Sequence, residues 1–274
     1  MSKTKFAKII PITLITIFLI WTLLPIFLMF SQSVKPTLLM FSDPPTFFFK
    51  PTFQHFVKVF LKSNLASSMF NSIFIAVCAT LLCLSMGTAC AYSLSRISLP
   101  GQRFFGLMTL FARMVPVSAL MMPLYMMMQK LGLGNTHMAV ILAHTLLNLP
   151  LCIWLVRGFF LDIPITLEEA ARVDGCTRLR TFISICVPLA MPGIITSAIM
   201  VMLSSWNEFM FSLILSGKNA RTMPVAISSF VGSVSIDWGG SSAAAVLACI
   251  PILIVSFFIQ KNLVRGLTAG AVKG

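Results

Sequence analysis

The chain has 274 residues, of which 58% are hydrophobic and only 10% are charged. Soluble domains carry roughly a quarter charged residues, so this composition excludes an ordinary soluble protein and indicates an integral membrane protein. The net charge of +13 does not indicate a nucleic-acid-binding protein. The lysines and arginines are scattered singly between apolar runs, which is typical of the positive-inside rule of membrane topology.

Six apolar runs have the length of membrane-spanning helices, so we predict an all-α integral membrane fold with six transmembrane helices in a single domain, residues 1–274. The first run follows three lysines, as in a signal peptide. It is longer than a signal peptide's apolar region and no cleavage site follows, so we expect a retained helix. Prolines within the runs predict kinks at Pro116, Pro123 and Pro251. The predicted spans are 9–31, 68–95, 104–129, 137–160, 189–215 and 242–260.

Small residues mark one part of the second run. Ser85, Ala89 and Ser93 repeat at a spacing of four, and Gly87 and Ala91 lie beside them. Small residues on one face let membrane helices approach closely. We therefore predict that this helix packs inside the bundle. The seven cysteines have no CxxC spacing and are interpreted as small core residues, not as a metal site or a disulfide framework.

A charged stretch at residues 161–188 separates the fourth and fifth predicted spans. Such a segment cannot lie in hydrocarbon, so it must lie at a membrane surface. With the N-terminus inside, the inner segments hold twelve of the 20 lysines and arginines and the outer segments hold seven. This excess predicts that the charged stretch and both termini are cytoplasmic.

The charged stretch has the pattern of two short helices joined by a glycine. Strong helix formers occupy residues 167–173, with Thr166 as the expected N-cap and acidic residues in the first turn. Gly175 permits a sharp change of direction. The second helix is expected at 177–186, ending before the prolines that follow it. We interpret the unit as a docking element for a soluble partner; the alternative is an amphipathic loop that lies on lipid headgroups.

No catalytic motif is evident in this sequence. It contains no GxxxxGK[ST] phosphate-binding loop, no HExxH motif and no recognisable Ser–His–Asp arrangement. His55, His137 and His144 have no spacing that suggests a metal site. His144 is interpreted as a hydrogen-bonded residue of the helix bundle rather than a proton carrier. We therefore expect no catalytic residue, no bound metal and no cofactor in this chain.

Glu208 is the single acidic residue inside a predicted span. A carboxylate in the membrane must pair or face water, so a role in a solute pathway is one interpretation of Asn207 and Glu208. The other interpretation is that both residues cap or hydrogen-bond a neighbouring helix near the outer interface. The sequence leaves the two open.

The spacing within the charged stretch resembles the EAA loop of ABC importer permeases. That family usually has leucine before the final proline, where this chain has valine. The order here is Glu169–Ala171, three residues, Gly175, nine residues, Ile185, one residue, Val187 and Pro188.

Other segments are similar to the carbohydrate-uptake branch of the same family, and the chain's last residues are similar to the tail of the maltose-type partner permease. The resemblance covers nearly the whole chain from about residue 10. The matching segments are NSI at 71–73, AYSLSR at 91–96, LGLGNT at 131–136, FFLDIPITLEEAARVDG at 159–175, WNEF at 206–209 and GLTAGAVKG at 266–274.

The resemblance implies the type I importer fold and a permease subunit that imports a sugar or sugar-like solute across a bacterial inner membrane. It also implies a second homologous permease subunit, two cytoplasmic ATPase subunits that bind ATP and Mg, and a periplasmic solute-binding protein. Alternatives are a permease for glycerol-phosphate or polyol solutes and, from another class, an ion-coupled secondary transporter. The residues implied to couple to the ATPase are Glu168, Glu169, Ala170, Ala171, Arg172, Asp174 and Gly175.

Overall fold

A computed structural model of the chain describes residues 3–62, 64–97, 101–232 and 236–271. Within these ranges the regular structure is helical, apart from an isolated β-bridge between Val231 and Ile236. The helices are α1 (Lys3–Ser33), α2 (Thr37–Met40), α3 (Gln54–Lys62), α4 (Leu65–Arg96), α5 (Gln102–Met114), α6 (Val117–Lys130), α7 (His137–Asp162), α8 (Ile165–Val173), α9 (Arg178–Thr181), a π-helical turn (Phe182–Cys186), α10 (Val187–Leu189), α11 (Met191–Trp206), α12 (Met210–Leu215), α13 (Met223–Ser228) and α14 (Trp238–Ala271).

Four of the described helices are long and apolar enough to cross a membrane: α1, α4, α7 and α14, the last through Phe257. Two bent pairs, α5 with α6 and the 178–189 segment with α11, raise the number of spans to at most six. The predicted all-α membrane fold is confirmed. The count of six and the division of the chain into spans stay predictions.

The predicted span 104–129 is two helices rather than one. Helices α5 and α6 are bent by 94° at a break, and Pro116, with φ −60° and ψ 131°, is the N-cap of α6. Proline has no N–H to donate, and it pushes the preceding residue into extended backbone. Val115 has that geometry, at ψ 125°. The kink predicted at Pro116 is therefore confirmed, and the angle is large enough to divide the span into two helices.

The predicted span 189–215 is also interrupted. Helix α11 ends at Trp206 and α12 begins only at Met210, so residues 207–209 break the helix. This break contains Asn207 and Glu208, the two residues that the sequence singled out within this span.

The start of α8 differs from the prediction. Thr166 was expected as the N-cap, but the cap is Pro164, with φ −60° and ψ 132°, and its side chain makes no capping hydrogen bond. The fixed φ of Pro164 and its extended ψ make Ile165, the next residue, the first residue of the helix. Thr166 therefore lies inside the first turn.

The second helix of the charged stretch is longer than predicted. It was expected to end before Pro188, but the chain stays helical from Arg178 to Leu189 and passes through this proline. The π-helical turn Phe182–Cys186 comes immediately before, and the N–H of Val187 bonds to the carbonyl of Phe182. A proline removes one hydrogen bond and crowds the carbonyl four residues earlier. The wider turn leaves room for that ring.

The described chain falls into two compact units, Met1–Ala66 with Ala226–Pro251 and Ser67–Val225 with Ile252–Gly274. In the first unit, the Nζ of Lys58 lies 2.7 Å from a carboxylate oxygen of Asp237. The pKa of Asp237 lies below its ordinary value. Burial alone raises this pKa, but the hydrogen bonds from Lys58 and from the N–H of Gly240 outweigh that effect. The buried Lys35 donates to the carbonyl of Thr46 at 2.8 Å.

In the second unit, residues of α4, α7 and α11 form one buried apolar cluster. Its buried residues include Cys83 and Ala91 of α4, Cys152 and Phe160 of α7, and Val201 of α11.

The small residues of α4 lie on two faces of the helix. One face is buried within this chain and the other is exposed. Gly87 and Ala91 are buried, and a Cβ at Gly87 would lie 2.8 Å from the Sγ of Cys152. Helix α4 therefore packs in the bundle as predicted, through the face with Gly87 and Ala91, while Ser85 and Ala89 are exposed.

The cysteine prediction holds in part. All seven cysteines are free thiols, and the three buried ones are Cys83, Cys152 and Cys186. Cys90 is exposed because it lies on the other side of α4 from the core.

Candidate functional site

Helix α8 divides the predicted coupling residues between two faces. Glu168 and Ala171 are buried. The other five are exposed: Glu169, Ala170, Arg172, Asp174 and Gly175. A helix of nine residues with one buried and one exposed face lies on the rest of the chain and presents the second face to solvent or a partner.

The end of α8 requires a glycine. Gly175 has φ +84°, and nothing lies within 4 Å of a Cβ built there, so backbone conformation rather than space selects glycine. Its N–H bonds to the carbonyl of Arg172 at 3.1 Å, and the N–H of Cys176 bonds to the carbonyl of Ala171 at 2.9 Å. This pair of bonds is a Schellman motif, which ends the helix and turns the chain. The change of direction expected at Gly175 is confirmed.

The exposed side of α8 and α9 forms what we call the docking surface, made of Glu169, Arg172, Val173, Arg178 and Leu179. Val173 is 88% exposed and Leu179 is 67% exposed. The two arginines also line a cavity of about 460 Å³. Exposed apolar side chains rimmed by charges are typical of a surface that binds a protein.

Glu168 is engaged inside the chain, unlike Glu169. Its carboxylate forms a short ion pair with the Nε of Arg96, and the side chains of both residues are only 8% exposed. The hydroxyl of Tyr92 donates to its second oxygen at 2.8 Å. The guanidinium of Arg96 also donates to the carbonyl of Ile163 at 2.6 Å. Glu168 is therefore placed to hold α8, while Glu169 is the free carboxylate of the pair.

Glu208 is the centre of a second polar cluster, at the break between α11 and α12. Its carboxylate accepts from the N–H of Phe211 at 2.8 Å and from the N–H of Ser212 at 3.0 Å. It therefore satisfies two of the free donors in the first turn of α12. The Nε2 of His144, on α7, lies 2.9 Å from the same carboxylate.

His144 connects Glu208 to α11. Its Nδ1 lies 2.7 Å from the hydroxyl of Ser205, so a neutral ring donates from Nε2 to the carboxylate and accepts from the serine. Ser205, His144 and Glu208 are thus joined by consecutive hydrogen bonds, an arrangement that the sequence does not predict. Each of the three is less than a tenth exposed. The hydroxyl of Ser205 is buried, and the three side chains form a buried network that holds the helix break. It agrees with the interpretation of His144 as a bundle residue.

The two residues considered for a solute pathway have different surroundings. The side chain of Asn207 is exposed, and its Nδ2 donates to the carbonyl of Leu203 at 3.0 Å. Glu208 is buried and has protein donors at both oxygens. The structure therefore supports the capping interpretation for Glu208 and leaves Asn207 facing outward.

The other histidines have structural partners of their own. The Nε2 of His137 lies 2.8 Å from the Oδ1 of Asn71, and the Nε2 of His55 lies 2.9 Å from the carbonyl of Lys35. Among the described residues, no group of three or more His, Cys, Asp and Glu side chains is placed to hold a metal ion.

Residues 83–269 match the family described as binding-protein-dependent transport system inner membrane component. The chain belongs to this family. This family match covers α7, the charged stretch with α8 and the break at Glu208. It makes the chain an inner membrane component of a transport system.

Curated relatives are similar over most of their length. The trehalose transport system permease protein SugB of Mycobacterium tuberculosis is 36% identical over 257 residues, covering 93% of each chain. The diacetylchitobiose uptake system permease protein DasC of Streptomyces coelicolor is 32% identical over 276 residues, covering 100% of each. The trehalose/maltose transport system permease protein MalG of Thermococcus litoralis is 36% identical, covering 85% of this chain and 88% of that one. All three are named as permease proteins.

Solved structures share the fold. A chain of a bacterial ABC transporter involved in the import of the acidic polysaccharide alginate superimposes with a TM-score of 0.79 at 24% identity, covering 95% of this chain and 98% of that one. At this identity the match supports the fold of an ABC importer permease.

Proposed function

We propose that this family member is the permease subunit of an ATP-driven, binding-protein-dependent importer of a sugar or sugar-like solute. The observation that carries the proposal is helix α8, which ends in a Schellman turn and presents Glu169 on an exposed face within a family of transport components. The names of the relatives, which mention trehalose, diacetylchitobiose and maltose, support a sugar as the solute.

The proposed assembly has parts that this chain lacks. It contains a second, homologous permease subunit, two cytoplasmic ATPase subunits that bind ATP and Mg, and a periplasmic solute-binding protein. The permease lies in a bacterial inner membrane with both termini in the cytoplasm. This chain then moves the solute and performs no chemistry of its own.

Coupling in this proposal runs through the docking surface. Helix α8 seats in a cleft of one ATPase subunit, with Glu169 as the polar anchor and Ala170 allowing close approach. Closure of the ATPase dimer on ATP displaces α8 as a rigid body, because its Schellman turn fixes the angle to the following helix. The displacement shifts the population between inward-open and outward-open states of the permease.

The solute pathway in this proposal passes the break between α11 and α12. Interrupted membrane helices offer free backbone groups and are frequent at the binding sites of transporters. Asn207 contacts the solute through its exposed amide, and the buried carboxylate of Glu208 keeps the break in shape.

The solute can be identified on the accompanying binding protein. We expect trehalose, maltose or diacetylchitobiose to raise its melting temperature, because a ligand at 100 times its Kd stabilises a protein by about 2.7 kcal/mol. Differential scanning fluorimetry with these sugars, glycerol 3-phosphate and a polyol measures the effect. Stabilisation by glycerol 3-phosphate or the polyol alone would replace the sugar assignment with the alternative solute class.

A further inference from the structure

We infer that Tyr92, Arg96 and Glu168 form a clamp that fastens α8 to α4, so that a displacement of α8 is passed to a membrane span that does not adjoin it in sequence. This inference rests on the proposed coupling role of α8. It assigns positioning roles to two residues, Tyr92 and Arg96, that lie outside the charged stretch.

The clamp joins three elements through polar contacts. Arg96, the last residue of α4, pairs with Glu168 of α8 and donates to the carbonyl of Ile163, which follows α7. Tyr92 lies one turn earlier on α4 and donates to the other oxygen of Glu168 at 2.8 Å. The carboxylate therefore accepts from two residues of one helix, which fixes both its position and its direction.

Aromatic packing also anchors Tyr92. The ring of Tyr92 lies 5.5 Å from that of Phe160 on α7 and 4.7 Å from that of Phe182 in the π-helical turn. The end of α4 is thus held between the helix that precedes α8 and the helical segment that follows it. If α8 and the segments that flank it move while α4 stays in place, several of these contacts must break.

The polar character of the clamp points to positioning rather than to stability alone. A buried ion pair contributes little net stability, because desolvation offsets its attraction, and well-packed apolar residues often serve as well. Apolar contacts are non-directional and would let α8 slide on α4. Fork-shaped hydrogen bonding by arginine sets one geometry and resists sliding.

The chain already connects α8 to α7 through Ile163 and Pro164, and to α9 through the turn at Gly175. The clamp adds a third connection, to α4, a helix of 32 residues that is long enough to cross the membrane. Displacing α8 would then move three helices together.

The test uses the complete complex with its ATPase subunits, prepared with and without a non-hydrolysable ATP analogue and Mg. Hydrogen exchange measured by mass spectrometry follows residues 91–97 at the end of α4 and residues 165–175 around α8. In the wild type we expect the nucleotide to change exchange in both segments. In Arg96→Met/Glu168→Met we expect the response of 91–97 to be lost, while 165–175 still responds.

The double variant leaves no unpaired buried charge, so it keeps the test informative where Arg96→Met or Glu168→Met alone fails to fold. Arg113→Met, an exposed arginine outside the clamp, is the matched control and should respond as the wild type does. An undiminished response of 91–97 in the double variant would overturn the clamp. Absence of any nucleotide response around α8 in the wild type would instead overturn the proposed coupling, and the clamp with it.

Discussion

The Glu169→Arg variant should lose its ATPase subunits while remaining inserted in the membrane. Glu169 is the exposed carboxylate at the centre of α8, whereas its neighbour Glu168 is buried in an ion pair. Loss of one partner in a buried interfacial charge pair costs about 2–5 kcal/mol, and reversing the sign adds repulsion. Recovery of ATPase subunits with an affinity-tagged permease should fall at least about tenfold, since 1.4 kcal/mol corresponds to a factor of ten.

Two further variants give this experiment its controls. Glu169→Gln keeps the shape and removes only the charge, so its effect should be smaller. Asp43→Arg makes a similar reversal at an exposed position of the connector after α1 and should retain the ATPase subunits. Equal recovery with Glu169→Arg and wild type would remove the docking role from this face of α8.

The Glu208→Leu variant should be strongly destabilised. Leucine leaves the N–H groups of Phe211 and Ser212 and the ring of His144 without their acceptor. Each buried donor left unpaired costs about 1–3 kcal/mol, so the total loss should be about 3 kcal/mol or more. Thermal unfolding of the purified complex in detergent, followed by tryptophan fluorescence, measures the change.

The adjacent residue separates a structural role from a role in the solute pathway. Asn207 is exposed, and its side chain bonds only within α11. Asn207→Leu should therefore unfold close to the wild-type temperature while solute uptake falls. Wild-type stability of Glu208→Leu combined with lost uptake would contradict the assignment and return Glu208 to the solute pathway.

Local pattern predicted much of the charged stretch. Helix-forming residues around Glu168, Gly175 eight residues after Leu167 and the prolines that follow residue 186 predict two helices and a turn. The bend at Pro116 followed from the chemistry of one residue. The resemblance of the Glu169–Pro188 spacing to the EAA loop indicates the family from sequence alone.

The polar clusters could not be predicted, because their members lie far apart in sequence. Arg96 and Glu168 are separated by 72 positions, and His144 and Glu208 by 64. A single sequence shows only that each is an ionisable residue near or inside an apolar run, where burying its charge costs free energy. Which residues compensate one another depends on how α4, α7 and the α11–α12 break pack, and short-range patterns carry no such information.

Helix ends also depend on more than the type of one residue. Thr166 is a good N-cap by residue type, but Pro164 fixes the backbone earlier and takes that position. Pro188 is a helix breaker by residue type, yet the π-helical turn before it lets the helix continue. In both cases a backbone geometry that neighbouring residues impose overrides the preference of one side chain.

The central claim is that this permease imports its solute by using ATP that partner subunits hydrolyse. The most direct measurement is solute uptake by proteoliposomes that contain the complete complex, with the radiolabelled sugar that stabilises the binding protein. We predict uptake only when both ATP and the binding protein are supplied, and none when a proton or sodium gradient replaces ATP. Uptake driven by an ion gradient without ATP would contradict the claim and identify a secondary transporter.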